Sequence, residues 1–261
     1  MELSLDGKVA LVNGGSAGLG LASAVELAQL GATVILMARN EEKLQKALEQ
    51  LPKPHFQNHR IAVADMSQLE TVSIAVEKIL SEQPVHILVN NTGGPAAGPV
   101  HTAELSAFES AFRQHLLGNH LLATSVLPGM KAAGYGRIIN IISTSVKVPL
   151  KGLGVSNTIR GAVGNWSKTL ATEVAAWGIT VNNVLPGATE TERLSSIIDG
   201  KAARTGTQVD HVRDEMIAEI PAARFGKPLE VGAAVAFLAS PAAAYINGIN
   251  VPVDGGRTPS L

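Results

Sequence analysis

Ser156 and Arg160 stand four residues apart in GVSNTIRGAV (154–163), a spacing that puts both on one face of a helix. A hydroxyl can hold a substrate oxygen, and a guanidinium can hold an anion or a sugar hydroxyl. Neither is a ready acid–base group at neutral pH: serine's alkoxide is hard to form, and arginine keeps its proton to above about pH 12. The stretch has no tyrosine, histidine, cysteine or carboxylate. It is either a catalytic pair or the remainder of a site that has lost its proton donor. Serine is also a preferred helix N-cap, and Arg160 could be a solvated cation.

Other candidates lie around this stretch. Ser143 closes GRIINIIS and Asn119 sits in LLGNHLL; the first can hydrogen-bond a substrate oxygen and the second can hold a water. His115 precedes Asn119 by four residues. Lys147 and Lys151 lie between Ser143 and Ser156, and either could supply a proton if its pKa were depressed. Glu190 and Glu192 flank Thr191. Upstream, NGGSAGLG (13–20) carries Gly14, Gly18 and Gly20 where a strand turns into a helix. That is the arrangement that lets backbone approach a diphosphate at a helix N-terminus. MARNEEKL (37–44) offers Arg39 where an NAD site usually offers a carboxylate, and a guanidinium suits a 2′-phosphate. Asp65 and Met66 could meet an adenine. In NNTGG (90–94), Asn91 and Gly93 would face a cofactor while Asn90 braces the fold.

These residues recur at the ends of short apolar runs: KVALVN (8–13), TVILMA (33–38), RIAVAD (60–65), HILVNN (86–91), RIINII (137–142), ITVNNV (179–184) and INVPVD (249–254). Near-continuous Val, Ile and Leu predict strands buried on both faces. Helical patterns alternate with them, such as LASAVELAQLG ending at Gly31. Strand alternating with helix predicts a doubly wound α/β parallel sheet of about seven strands, whose carboxyl edge binds ligands. The 261 residues fit one domain. With 46% apolar and 16% charged residues, a large core is easy to build. A net charge of −1 argues against a nucleic-acid or membrane surface. The absence of cysteine excludes disulfides and thiolate metal sites, and no metal site is expected. No signal peptide or membrane span is legible, so a cytoplasmic protein is expected.

In order, NGGSAGLG, NNTG, LGNHLLATSVLPGM, GRIINIIS, LPGATET and YINGINVPVDGG resemble the short-chain dehydrogenase/reductase family over essentially the whole chain. IPAARFGKPLEVGAAVAFLAS is most similar to its β-ketoacyl-carrier-protein-reductase-like branch. The usual first-motif threonine is Asn13. The resemblance implies a Rossmann fold and an NAD(P)-dependent oxidoreductase acting on a carbonyl or secondary alcohol, with NADP preferred over NAD. It assigns the cofactor to Gly14, Ser16, Gly18, Leu19, Gly20, Arg39, Asp65, Met66, Asn91, Gly93, Arg160, Pro186, Gly187, Thr189 and Thr191. The family's tetrad is Asn, Ser, Tyr and Lys. Asn119 and Ser143 match the first two, and Ser156 and Arg160 fall where tyrosine and lysine are expected. The two tyrosines, Tyr135 and Tyr245, lie elsewhere. The resemblance therefore leaves two functions open: an oxidoreductase with a non-standard proton donor, or an NADP-binding sensor or partner subunit without turnover. It further implies a substrate lid over 190–220, a small-molecule substrate, and a homotetramer or homodimer built on the helix bearing VGNWSKTLATEVAAW.

Overall fold

In the computed structural model, which describes residues 1–260, seven strands form one sheet: β1 Val9–Asn13, β2 Thr33–Ala38, β3 Arg60–Val63, β4 Ile87–Asn90, β5 Gly136–Ile141, β6 Ile179–Pro186 and β7 Asn250–Val253. Their order is β3-β2-β1-β4-β5-β6-β7, and every pairing is parallel. The predicted runs fall on these strands: β2 matches its run, β1, β3, β4 and β7 are trimmed by one or two residues, β5 is shifted by one and β6 continues to Pro186. The helices are α1 Gly18–Gln29, α2 Glu41–Leu48, α3 Leu69–Glu82, α4 Leu105–Phe112, α5 Gly118–Ala133, α6 Gly154–Val174, α7 Glu192–Thr205, α8 Val209–Ala218 and α9 Pro228–Ala239.

Alternation along each strand sorts the core into two layers. Ala10 and Val12 of β1 join Leu27 of α1, Leu44 of α2 and Val235 of α9 on one face. Leu11 points the other way, into a cluster with Val76 of α3, Val126 of α5 and Leu170 of α6. Each fully buried leucine, such as Leu11, Leu27 and Leu44, contributes about 1.5–3 kcal/mol by leaving water. The chain runs outward from β1 through β2 to β3, then crosses back and runs outward the other way from β4. The crevice between the β1 and β4 ends is the topological switch point at which such sheets bind ligands.

A row of asparagines crosses the sheet. Asn90 of β4, Asn140 of β5, Asn183 of β6 and Asn250 of β7 are paired in register. The Asn90 amide donates to Asn140 (2.8 Å), Asn140 to Asn183 (2.9 Å) and Asn183 to Asn250 (2.8 Å). Asn140 also donates to Ser167 of α6 at 3.2 Å. Buried amides are tolerated when paired in this way. Asn90 does brace the fold, as its position at a strand end suggests.

Between α4 and α5, residues Arg113–Leu117 form a single π-helical turn. Such turns break the plain four-residue register of a helix, so His115 and Asn119 do not form a simple helical pair. Residues 190–220 fold as α7 and α8 around a small core of Leu194, Ile198, Ala202, Val212, Ile220 and Phe225. Among the described residues, no helix is long and apolar enough to cross a membrane.

Candidate active site

The glycine loop after β1 is closed by contact rather than by composition alone. Gly14 adopts φ +66°, and a β-carbon at Gly20 would lie 2.1 Å from the Gly14 carbonyl oxygen. No larger residue fits there, and the backbone is left bare at the N-terminus of α1. The unpaired N–H groups of that first turn are the ones that hold a phosphate. Ser16 and Leu19 are half-buried in the same loop. Thr191 reaches it from the far end of the sheet, its methyl 3.6 Å from the β-carbon position at Gly18. The cradle therefore fits a dinucleotide diphosphate on its own geometry.

The neighbouring strand ends supply the flanks. Arg39 is exposed just past β2. Asp65, past β3, accepts from the Ser67 backbone N–H at 2.9 Å and from the Ser67 hydroxyl at 2.8 Å. Those bonds, the backbone one foremost, hold its carboxyl below its ordinary pKa, and the Arg39 charge adds to the effect. The Met66 side chain is a core residue packed towards Gly118, so only its backbone is left to meet a ligand. Asn91 is tied to the glycine loop, donating 3.3 Å to the Gly14 carbonyl. Past β6, the Gly187 N–H donates to Val253 at 3.0 Å, and the buried Thr189 hydroxyl donates to the Gly187 carbonyl at 3.2 Å. Thr191 caps α7, accepting from the Leu194 N–H at 3.3 Å.

Ser143 follows β5 and caps a short 3-10 turn, accepting from the Ser145 N–H at 3.1 Å. Lys147 ends that turn, and Lys151 is exposed on the loop leading to α6. Ser156 is buried, and of the roles open to it the N-cap falls away. α6 begins at Gly154 with Leu153 in the cap position, which places Ser156 third in the helix. The reason is the preceding strap: the Gly154 N–H donates to the Gly98 carbonyl at 3.0 Å, and the Gly98 N–H to the Gly152 carbonyl at 2.8 Å. The helix start is thus fixed by backbone pairing before a side-chain cap is needed. Asn157 fastens the same loop, donating to the Leu150 carbonyl at 2.8 Å.

Arg160 is not a solvated cation. It donates 3.3 Å to the Ile141 carbonyl, two residues before Ser143. Burial pulls its pKa down to about 10, with the charge of Arg193 pushing the same way. Arg193, in the first turn of α7, clamps the loop after β4, donating to the Gly94 carbonyl at 3.0 Å and the Pro95 carbonyl at 2.7 Å. His115 completes the group. It is buried in the π turn and hydrogen-bonded to the Gly93 backbone; burial foremost, then the Arg160 charge, lowers its pKa to about 3. Asn119 is buried too, and its side-chain oxygen has no protein partner. Among the described residues, no hydrogen bond joins it to Ser143, Ser156 or Arg160. The structure thus brings His115 within electrostatic reach of Arg160. Arg193 carried no sequence signal beyond the basic character of RLSSIIDGKAARTG.

Both tyrosines are at the other edge of the sheet. Tyr135 precedes β5 and donates to the Ala239 carbonyl, and Tyr245 is fully exposed ahead of β7. Glu190 pairs with Arg213 at 3.5 Å, and Glu192 is exposed. No cluster able to hold a metal ion occurs among the described residues.

A doubly wound sheet with a glycine cradle at its switch point defines a dinucleotide-binding α/β protein. The comparisons narrow this. A family model described as enoyl-(acyl carrier protein) reductase matches residues 14–258. The chain is 35% identical to the 3-oxoacyl-[acyl-carrier-protein] reductase FabG of Vibrio cholerae, over 97% of this chain and 98% of that one. Among solved structures it is similar to the L-sorbose reductase of Gluconobacter frateurii complexed with NADPH and L-sorbose (TM-score 0.93, 31% identity, 100% of both chains). It is also similar to YwfH, an NADPH-dependent reductase involved in bacilysin biosynthesis (TM-score 0.92, 27% identity, 97% of this chain and 99% of that one). The chain belongs to the short-chain dehydrogenase/reductase family.

Proposed function

We propose that the chain is an NADP-dependent oxidoreductase acting on a carbonyl or secondary alcohol, with Ser156 and Arg160 standing where its family has tyrosine and lysine. The observation that carries this is the intact cofactor cradle, while the active-site edge beside it has no phenol. Gly14 and Gly20 interlock at the cradle, while Tyr135 and Tyr245 lie beyond the opposite edge. Bound NADP supplies or accepts the hydride. Arg39 would take the 2′-phosphate, and Arg160 the nicotinamide ribose. Ser143 would hold the substrate oxygen. A proton must then come from a group other than a phenol. His115, with its pKa near 3, has no imidazolium proton to give at neutral pH. Ser156, Lys147 and Lys151 remain as the hydroxyl and ammonium candidates on the segment that follows Ser143. The substrate would be a small molecule covered by residues 190–220.

A second reading, an NADP-binding protein without turnover, is favoured by the same missing phenol. Turnover separates the two: NADPH oxidation is followed over a broad carbonyl panel, with cofactor binding measured independently by fluorescence. Binding without oxidation of any panel member counts for the second reading. A homodimer or homotetramer through the α4–α6 face is part of the proposal, supported by the exposed Leu105, Phe112 and Leu117. Light scattering showing only monomer at micromolar concentration would contradict it.

A further inference from the structure

Arg160 and Arg193 come from different helices and converge on one glycine. A β-carbon at Gly94 would stand 3.0 Å from Nη2 of Arg193 and 3.4 Å from Nη2 of Arg160. Each guanidinium carries five N–H groups. Arg193 spends two on the Gly94 and Pro95 carbonyls, and Arg160 one on the Ile141 carbonyl. The rest have no acceptor among the described residues. Neither arginine makes an ion pair there. Of the neighbouring acids, Glu190 is turned to Arg213 at 3.5 Å, and the exposed Glu192 pairs with neither arginine among the described residues. His115, whose pKa both arginines lower, could add only positive charge and supplies no counter-ion. Burial depresses both guanidiniums, and they repel one another.

Arg160 is half-buried and Arg193 exposed beside it, both without a counter-ion, and an anion with matching fork geometry would offset their repulsion. We propose that Arg193, with Arg160 beside it, is the receptor for an anionic group on the substrate, a carboxylate or a phosphate ester. The inference rests on the oxidoreductase reading for the word substrate, but the receptor itself does not depend on turnover. The dinucleotide's own phosphates have other places, at the α1 N-terminus and at Arg39. Arg160 is anchored on Ile141, two residues before Ser143. Arg193 lies in the first turn of α7 and already ties it to the 94–95 loop, so a captured anion would sit where the proposed lid meets that loop.

The test uses calorimetry on protein saturated with NADPH, and on free protein if NADPH does not bind. The probes are 2-, 3- and 5-oxohexanoate against their methyl esters, and dihydroxyacetone phosphate against dihydroxyacetone. Arg193→Gln keeps N–H donors for the Gly94 and Pro95 carbonyls and removes the charge. Expected is tighter binding of at least one anionic probe than of its neutral partner. Arg193→Gln should weaken that probe about tenfold or more, the effect of roughly 1.4 kcal/mol, and change NADPH affinity less than about twofold. Arg193→Lys should recover part of the loss. Neutral partners binding as well as every anionic probe would overturn the proposal. So would an Arg193→Gln variant that loses NADPH affinity as much as probe affinity, because the anion would then be the cofactor's diphosphate. Probe binding that depends on Arg193 without NADPH oxidation would leave the receptor standing and count against the oxidoreductase reading alone.

Discussion

The side-chain amide of Asn91 donates 3.3 Å to the carbonyl oxygen of Gly14, so the end of β4 holds the glycine loop of β1 in its turn. Gly20 fits beneath this contact, where an added β-carbon would meet the Gly14 oxygen at 2.1 Å and the Asn91 amide nitrogen at 2.8 Å. Gly20→Ala should therefore push the loop and the strand end apart. The expected cost is about 1–3 kcal/mol of stability, with cofactor binding lost or strongly weakened. Chemical denaturation and fluorescence titration check both. An alanine variant that binds NADPH normally would show that the cradle is not the site.

Arg39 should set cofactor choice. The Arg39→Glu variant is expected to lose NADPH affinity by about tenfold or more, the scale of a charge-assisted phosphate contact, and to lose much less affinity for NADH. Wild-type protein with equal affinities for the two cofactors would remove the assignment.

Ser156 loses little by truncation if it only leaves room for substrate. It is third in α6 rather than the cap. Ser156→Ala should therefore change stability by less than the roughly 0.5–2 kcal/mol of a lost N-cap. Cofactor affinity should stay unchanged, whereas Arg160→Ala should weaken it. An active wild type silenced by Ser156→Ala with cofactor binding intact would make the serine catalytic. If Ser156→Ala stays active, Lys147→Gln and Lys151→Gln are next. The double change Ser156→Tyr with Arg160→Lys is expected to create or raise carbonyl reduction.

His115 should give the protein an acid-sensitive limb. Burial, and then the Arg160 charge, keep its pKa near 3 in the folded chain, against about 6.5 in an unfolded one. Between those values the unfolded state binds the extra proton, so stability linked to His115 is complete above about pH 6.5 and is lost as pH falls towards 3. His59 and His86 shift in the same direction, but they are common to both proteins in a comparison with His115→Gln. The stability difference between wild type and His115→Gln should shrink steadily from pH 7 to pH 4. A difference that stays constant with pH would refute the assignment.

The strand ends were legible because each strand is a continuous apolar run closed by polar or glycine residues, as in VALVN and ILVN. Local pattern settles such elements. The glycine loop was legible for the same reason. Ser156's place was not: its helix start depends on Gly98, which is distant in sequence and pairs backbone to backbone with residues 152 and 154. Nor was the place of His115, because a π turn leaves no mark in hydrophobic spacing. Arg193 was hidden because its partners, the Gly94 and Pro95 carbonyls, have no side-chain signature at all.

The asparagine row from Asn90 to Asn250 has a polarity. Every amide along it donates in the same direction, from β4 towards β7, and at its start the Asn90 oxygen is left without a protein partner. On the adjoining strand, β1, Asn13 stands one residue past Val12, the partner of Val89, and its amide nitrogen is likewise unpaired. Four strands are thus aligned by contacts that none can satisfy alone, and sliding any one of them by a residue would strand several buried amides at once. Such a row acts as an error check on assembly, penalising misaligned sheets that hydrophobic burial alone would tolerate. The strand that carries the glycine loop ends at this rung without a side-chain bond to it; the β1–β4 seam is held instead by His86, whose Nδ1 accepts from the Val9 N–H at 3.1 Å, and by Asn91 on Gly14.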